Sequence, residues 1–264
     1  MEFYRQKVEL MAGGKSFNNE DFEIDFVVEF GNSSEPNISK VMIYNLSDQT
    51  IAAIRAKAYI IMNCGYGMSV GNILTGKVDK AETYWEEVDK VTEIYVGDGS
   101  FEWNFKRINK TYASGSTSKL IVSDLASQLG LEIAELNLEK DITFPRGRSV
   151  SGATQYELRK LVSETGSRVF IDKGKLYIRP KNKGTVTGFV LNVDTGLIES
   201  PQKITEEDKK GNSINKYNVR CLLNHKITTD SILVIESKTA NGKFRVVKGR
   251  HTGDFITECE VVPM

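Results

Sequence analysis

The residues of this sequence best suited to catalysis or metal binding are two histidines, three cysteines and a few acidic pairs. His225 and His251 are the only histidines. His251-x-x-Asp254 has the composition of an acid–base or metal pair, but the spacing is unspecific. The segment reads as a turn between two strands, with a structural or surface role. Gly65-Tyr66-Gly67-Met68-Ser69-Val70-Gly71 has the glycine content of a phosphate loop. It lacks the G-x-G-x-x-G order, and no helix pattern follows to offer its N-terminus to a phosphate. It is expected to be a hairpin turn. No G-x-S-x-G is present, and no serine, histidine and acid arrangement stands out. Glu86-Glu87 and Glu206-Glu207-Asp208 lie in polar stretches and read as solvated charge, not as a carboxylate pair on a buried wall.

Cys64, Cys221 and Cys259 are far apart, odd in number and without a C-x-x-C pair. Zinc ligands pair at close spacing, so these cysteines read as reduced, partly buried thiols in a reducing compartment. The sequence therefore predicts no enzyme, no cofactor and no metal site. Lys plus Arg equals Asp plus Glu, 35 each, so the basic excess of a general nucleic-acid binder is missing. Apolar residues at 40% and charged residues at 27% are those of an ordinary globular protein. No apolar run is long enough to cross a bilayer, and MEFYRQKVEL lacks a signal-peptide pattern. Synthesis and folding in a cytoplasm, with no membrane insertion, are expected.

Two surface features remain. Asp21, Glu23, Asp25 and Glu29 share the polar face of DFEIDFVVEF, without a base among them. One reading is a solvated outer face. The other is a wall that repels polyanions, since like charges act within a Debye length of about 8 Å. Tyr84 and Trp85, followed by two glutamates, are exposed aromatics able to stack on a sugar. Trp103, between Phe101 and Phe105, reads as core.

The elements that hold these residues are mostly strands. Phe22, Ile24, Phe26, Val28 and Phe30 alternate with the acids at period two, a half-buried strand, and Gly31-Asn32-Ser33-Ser34 reads as a turn. Val41 to Tyr44 is the next strand. SDQTIAAIR then breaks the β pattern: Ser47 or Asp48 caps a helix whose Ile51 and Ile54 form a stripe. A helix this short needs a surface to pack on, and the end of a small barrel offers one. Further strands are expected at 59–64, 72–77, 91–96 and 101–105, with a hairpin turn at Gly97-Asp98-Gly99.

Composition changes near Ala113-Ser114-Gly115-Ser116. A weak repeat follows, LIVSDLASQLGLEI and YELRKLVSETGSRVFI. Its two helices end at Gly130 and Gly166, align Leu125 with Leu161, and carry a capping-box candidate at Thr154-x-x-Glu157. Residues 169–178 read as a hairpin turning at Lys173-Gly174. Strands return at 186–193, 213–221, 232–236, 244–247 and 254–262, with a polar mobile loop at 203–211. The fold expected is mainly β: a first β-barrel domain with a plug helix (1–112), an α/β module (113–183) and a second β-barrel domain (184–264).

In this order the motifs resemble those of tandem-barrel baseplate hub proteins of phage tails and related injection machines. The residues are Val41-Met42-Ile43-Tyr44-Asn45-Leu46, Gly65-Tyr66 and Gly76; then Gly130-Leu131, Ser163-Glu164-Thr165-Gly166 and Leu176-Tyr177-Ile178-Arg179-Pro180. The second barrel contributes Gly196-Leu197-Ile198-Glu199-Ser200-Pro201-Gln202, Phe244-Arg245-Val246-Val247 and Glu258-Cys259-Glu260-Val261. The resemblance covers nearly the whole chain. It implies a virion structural protein, made in the bacterial host cytoplasm. As a homotrimer it would form a ring that joins the tail tube to the tail tip and encloses the channel for DNA. Implied partners are the tail tube or distal tail protein, the tape-measure protein and a tail-tip or spike protein, with DNA only in transit. Asp21, Glu23, Asp25 and Glu29 would then line the channel. Short for the family, the chain is expected to leave the spike and cell-wall hydrolase functions to its partners. The alternative is a carbohydrate-binding or adhesin-like tail-tip protein using Tyr84 and Trp85. A cell-wall hydrolase is the third reading, and it lacks a recognisable carboxylate pair or metal site.

Overall fold

A computed structural model describes residues 4–32, 37–55, 58–97, 100–207 and 213–264. The chain is mainly β and divides into two compact units. The first comprises Met1–Gly31, Ile38–Val96 and Gly184–Met264; the second comprises Asn32–Asn37 and Gly97–Lys183.

The first seven strands are β1 (Gln6–Ala12), β2 (Lys15–Asn18), β3 (Ile24–Gly31), β4 (Ile38–Tyr44), β5 (Tyr59–Tyr66), β6 (Ser69–Glu86) and β7 (Asp89–Gly97). Their alternating side chains bury Val8, Leu10, Phe26, Val41, Ile43, Ile60 and Met62 in one core. Helix α1 (Asp48–Arg55) interrupts the run where the sequence predicts it. The Ser47 carbonyl accepts from Ile51 N–H at 3.0 Å and its hydroxyl from Thr50 N–H at 3.3 Å, satisfying N-terminal donors. Ile51 and Ile54 enter the same core, so the helix is held by packing, as its length requires. Gly65–Gly71 is a β-hairpin, with Gly67 at φ +54° in the turn. A Cβ on Gly65 would lie 1.9 Å from the Ser69 carbonyl oxygen, which accounts for a glycine there.

The later strands are β15 (Thr185–Leu191), β16 (Gln202–Glu207), β17 (Ser213–Leu222), β18 (Ser231–Glu236), β19 (Asn241–Thr252) and β20 (Ile256–Pro263). They enclose a second core of Leu191, Val219, Leu233, Phe244, Val246 and Val261. Strand orders β3-β4-β7-β6-β5 and β16-β17-β20-β19-β18 are the same path. In each set the first and second strands in sequence are followed in space by the fifth, fourth and third. The two barrels are one topology used twice. They share one sheet, because β19 pairs with β18 over Asn241–Arg245 and then with β3 over Lys248–Thr252.

The second unit is α/β. Its elements are α2 (Ser100–Phe105), β8 (Arg107–Tyr112), β9 (Ser116–Thr117), α3 (Ser118–Leu129), β10 (Glu132–Leu136), β11 (Thr143–Phe144), β12 (Arg148–Ala153), α4 (Thr154–Glu164), β13 (Ser167–Asp172) and β14 (Lys175–Pro180). Leu125 and Leu161, aligned by the repeat, are both fully buried in its core. Gly130 and Gly166 end their helical patterns at φ +70° and +78°. Lys173 and Gly174, both with positive φ, make the β13–β14 hairpin turn.

Four expectations are corrected. The 101–105 segment is helical, not a strand: Trp103 is buried while Phe105 is exposed, and a two-residue alternation cannot be told from one helical turn at this length. The α4 capping box is absent: Ala153 is the N-cap without a side-chain bond, and Thr154 lies inside the helix with its hydroxyl buried and unpartnered among the described residues. Within 203–211, residues through Glu207 belong to β16 rather than a loop, stabilised by cross-strand pairing that includes Lys216 with Glu206 at 2.5 Å. The half-buried strand starts at Ile24, so Asp21 and Glu23 precede it. Ser33, Ser34, Asp98 and Gly99 of the proposed turns, and residues 208–211, lie outside the described residues.

Candidate functional site

Where the barrels join, period-two alternation turns one set of residues inward and the next outward. Inward on β17, β20, β19 and β3 lie Cys221, Thr257, His251 and Val28. His251 is therefore core within a strand, not turn. Its Nδ1 lies 2.8 Å from the Thr257 hydroxyl, and its ring lies tilted against Phe30 with centroids 4.8 Å apart. The turn begins beyond it, where the Thr252 hydroxyl donates to Asp254. His225 packs on the backbone at Gly71, where a Cβ would lie 2.2 Å from the imidazole. The cysteines are all buried. Burial pushes the Cys221 thiol up to about 12 and holds Cys64 and Cys259 well above the usual thiol range, so they are neutral core residues.

Outward, the same strands carry a ladder of alternating charge: Arg220 (β17), Glu258 (β20), Arg250 (β19) and Glu29 (β3), in direct register. Glu258 accepts from Arg250 Nη2 at 2.7 Å and Nε at 2.9 Å, and Arg220 Nε is 3.4 Å away. A second row sets Glu260 between Lys248 at 2.7 Å and Lys216 at 3.6 Å. Together with Glu199 and Gln202 these residues, Lys216 apart, line a groove of about 440 Å³. Burial raises the Glu29 pKa above the usual carboxylate range, against the opposing pull of Arg250 and Lys248. The Arg250 guanidinium is held above its usual value by its bond to Glu258.

The four acids of the DFEIDFVVEF face have different surroundings. Asp21 accepts from the Asn18 side-chain amide at 2.8 Å in a turn. Asp25 accepts from Phe26 N–H at 2.7 Å and sits over Gly253, where a Cβ would lie 1.9 Å from its oxygen. Burial raises the Tyr44 phenol, with Glu23, Glu86 and Asp25 adding to the effect. Only Glu29 enters the ladder. Tyr84 and Trp85 lie near the end of β6, 41% and 70% exposed. Lys248-x-Arg250 and Glu258-x-Glu260 alternate charge at period two, a signal in the sequence that could have marked this face. What the sequence alone withheld was which strands lie side by side, and so which signs meet.

Among the described residues no group of three His, Cys, Asp or Glu is placed to hold a metal ion, and no helix is long and apolar enough to cross a membrane. The family described as baseplate hub gp41 matches residues 38–248, and the chain belongs to that family. It is a baseplate hub protein, a structural component of the phage tail. Its fold is shared with a 43 kDa tail protein of prophage MuSo2 from Shewanella oneidensis (TM-score 0.71, 12% identity, covering 98% of this chain and 97% of that one). A tail protein from Neisseria meningitidis is similar at TM-score 0.67 and 9% identity, covering 98% and 97%. A type VI secretion component from E. coli, described as similar to bacteriophage tail proteins, matches at TM-score 0.66 and 10% identity, covering 97% and 76%. No curated protein matches the sequence.

Proposed function

We propose that copies of this chain form a homotrimeric ring, with two barrels per copy, that joins the tail tube to the tail tip and encloses the channel through which DNA passes. The observation that carries this reading is the barrel topology used twice and fused through β19 and β3 into one sheet. A threefold ring of such chains offers six similar barrels, a match between sixfold and threefold neighbours. In this reading the chain works as three parts, 1–112, 113–183 and 184–264, and carries out no catalysis. Its partners are the tail tube or distal tail protein, the tape-measure protein and the tip or spike protein. Synthesis is in the host cytoplasm. Light scattering after size exclusion, with negative-stain images, tests it: a trimeric ring with an open centre is expected. A compact closed dimer without a hole would overturn it and favour the sugar-binding reading, for which the exposure of Trp85 and Tyr84 speaks.

Asp21, Glu23, Asp25 and Glu29, two before β3 and two on its outward face, are proposed to line the channel. A wall whose charges are balanced or acidic gives a passing phosphate backbone nothing to hold. Replacing all four with lysine turns four acids into cations, one of them at Glu29 beside Arg250 and Lys248, and creates a polyanion trap. Ejection of DNA is expected to fall while tail assembly continues; normal ejection, measured by DNA release from purified particles, would count against the assignment.

A further inference from the structure

The repeated topology leaves two strand edges open. In the second barrel the fourth strand in sequence, β19, pairs with β18 along its first half, and its second half runs on to pair with β3, the first strand of the other barrel's set. In the first barrel the equivalent fourth strand is β6. Its residues Ser69–Lys77 pair with β5, as the first half of β19 pairs with β18. Beyond them β6 continues to Glu86 in the hairpin with β7. Among the described pairs, Lys80–Glu86 has no strand on the side that β5 has left. The equivalent of β3 in the second barrel is β16, which ends the sheet with β17 on one side and no described strand on the other.

We infer that a second copy of this chain joins here, the second half of β6 in one copy pairing antiparallel with β16 of the next. The proposal rests on the ring reading above and names the seam of that ring. Three observations support it. First, the chain already contains this joint once, with the same two strand positions and the same half of the fourth strand. Second, an extended edge left unpaired is an aggregation template, and neither edge segment, Lys80–Glu86 or Gln202–Glu207, carries a proline. Third, the chemistry fits. Thr83, Tyr84, Ile204 and Thr205 favour sheet, and Lys80, Glu82, Lys203 and Glu206 give both edges charges of both signs. Because the two edges differ, the contact is head-to-tail, the kind that generates a ring when it closes. The ladder in which Arg250 meets Glu29 in one chain would thus have a counterpart between chains.

The test is a cross-link in purified tail particles. Thr83→Cys and Thr205→Cys together place a thiol on each edge, while the native cysteines are buried. A short bismaleimide is expected to link the double variant into dimers and higher species. Either single variant should give no linked product, because each then bears a thiol on only one side of the seam. A second readout needs no substitution: amides of Lys80–Glu86 and Gln202–Glu207 should lose their fast hydrogen exchange on assembly. Particles whose copies form a ring but give no cross-link, with both segments exchanging as in the free chain, would overturn the seam and leave the ring standing. Particles holding the protein in no ring would overturn both.

Discussion

Trp103→Ala is expected to lower the stability of the α/β unit by about 3–5 kcal/mol, the cost of emptying a large buried aromatic site. Trp103 is 1% exposed and belongs to the core formed with Leu125, Leu158 and Leu161. It reaches that core from α2, which packs on α4, and the Arg159 guanidinium lies 5.8 Å from its ring centre. The indole Nε1 is buried without an acceptor among the described residues. An unsatisfied donor costs about 1–3 kcal/mol, so the native side chain carries a penalty that phenylalanine would not. Trp103→Phe keeps most of the ring, removes that donor, and should cost under about 1.5 kcal/mol. Urea unfolding followed by circular dichroism separates the two. Equal losses for Ala and Phe would mean that ring volume is not what holds the unit together.

How much of this was legible before the structure depended on the range of the interaction. Burial of alternate residues in β3 and the helix at Asp48–Arg55 follow from local period and capping, and both were readable. So were the αL glycines Gly130 and Gly166, whose conformation is a property of the single residue. The Trp103 segment was misread because three aromatics two apart suit a strand as well as one helical turn. The Thr154 capping box failed for another reason: the motif gave the residue types, but the helix began one residue earlier than the motif requires. Most of the functional surface was hidden. Glu29 was visible as an acid among acids. That it faces Arg250, with Glu258 and Arg220 beyond, depends on residues far away in the sequence and on the pairing of β3 with β19. The repeated strand order was hidden for the same reason. The two barrels share a path, not a sequence pattern strong enough to align.

The joint between the barrels supplies the other large effect. Gly249→Val should destabilise the first unit by about 3 kcal/mol, at the upper end of the usual cost of overfilling a packed site. Gly249 lies in β19 between its two partner strands, opposite Cys259 on β20 and Phe30 on β3. A Cβ there would stand 2.5 Å from the Glu258 carbonyl oxygen, 2.6 Å from the Phe30 ring and 2.7 Å from the Cys259 Cβ. None of these can withdraw. The first is backbone in a paired strand, and the other two belong to side chains packed in the second core. The neighbouring Arg250→Val is the control. Its side chain points to the opposite face, is 50% exposed, and would give up a surface ion pair worth at most about 1 kcal/mol. A large loss for residue 249 beside a small one for residue 250, read from urea midpoints, is what period two at a shared strand requires. If the seam between copies repeats this joint, the same substitution should also weaken ring assembly, because the β3–β19 pairing sets the relation of one barrel to the next. A Gly249→Val protein with an unchanged midpoint would show that the two barrels tolerate separation at this strand, and the shared sheet would no longer account for how they are held.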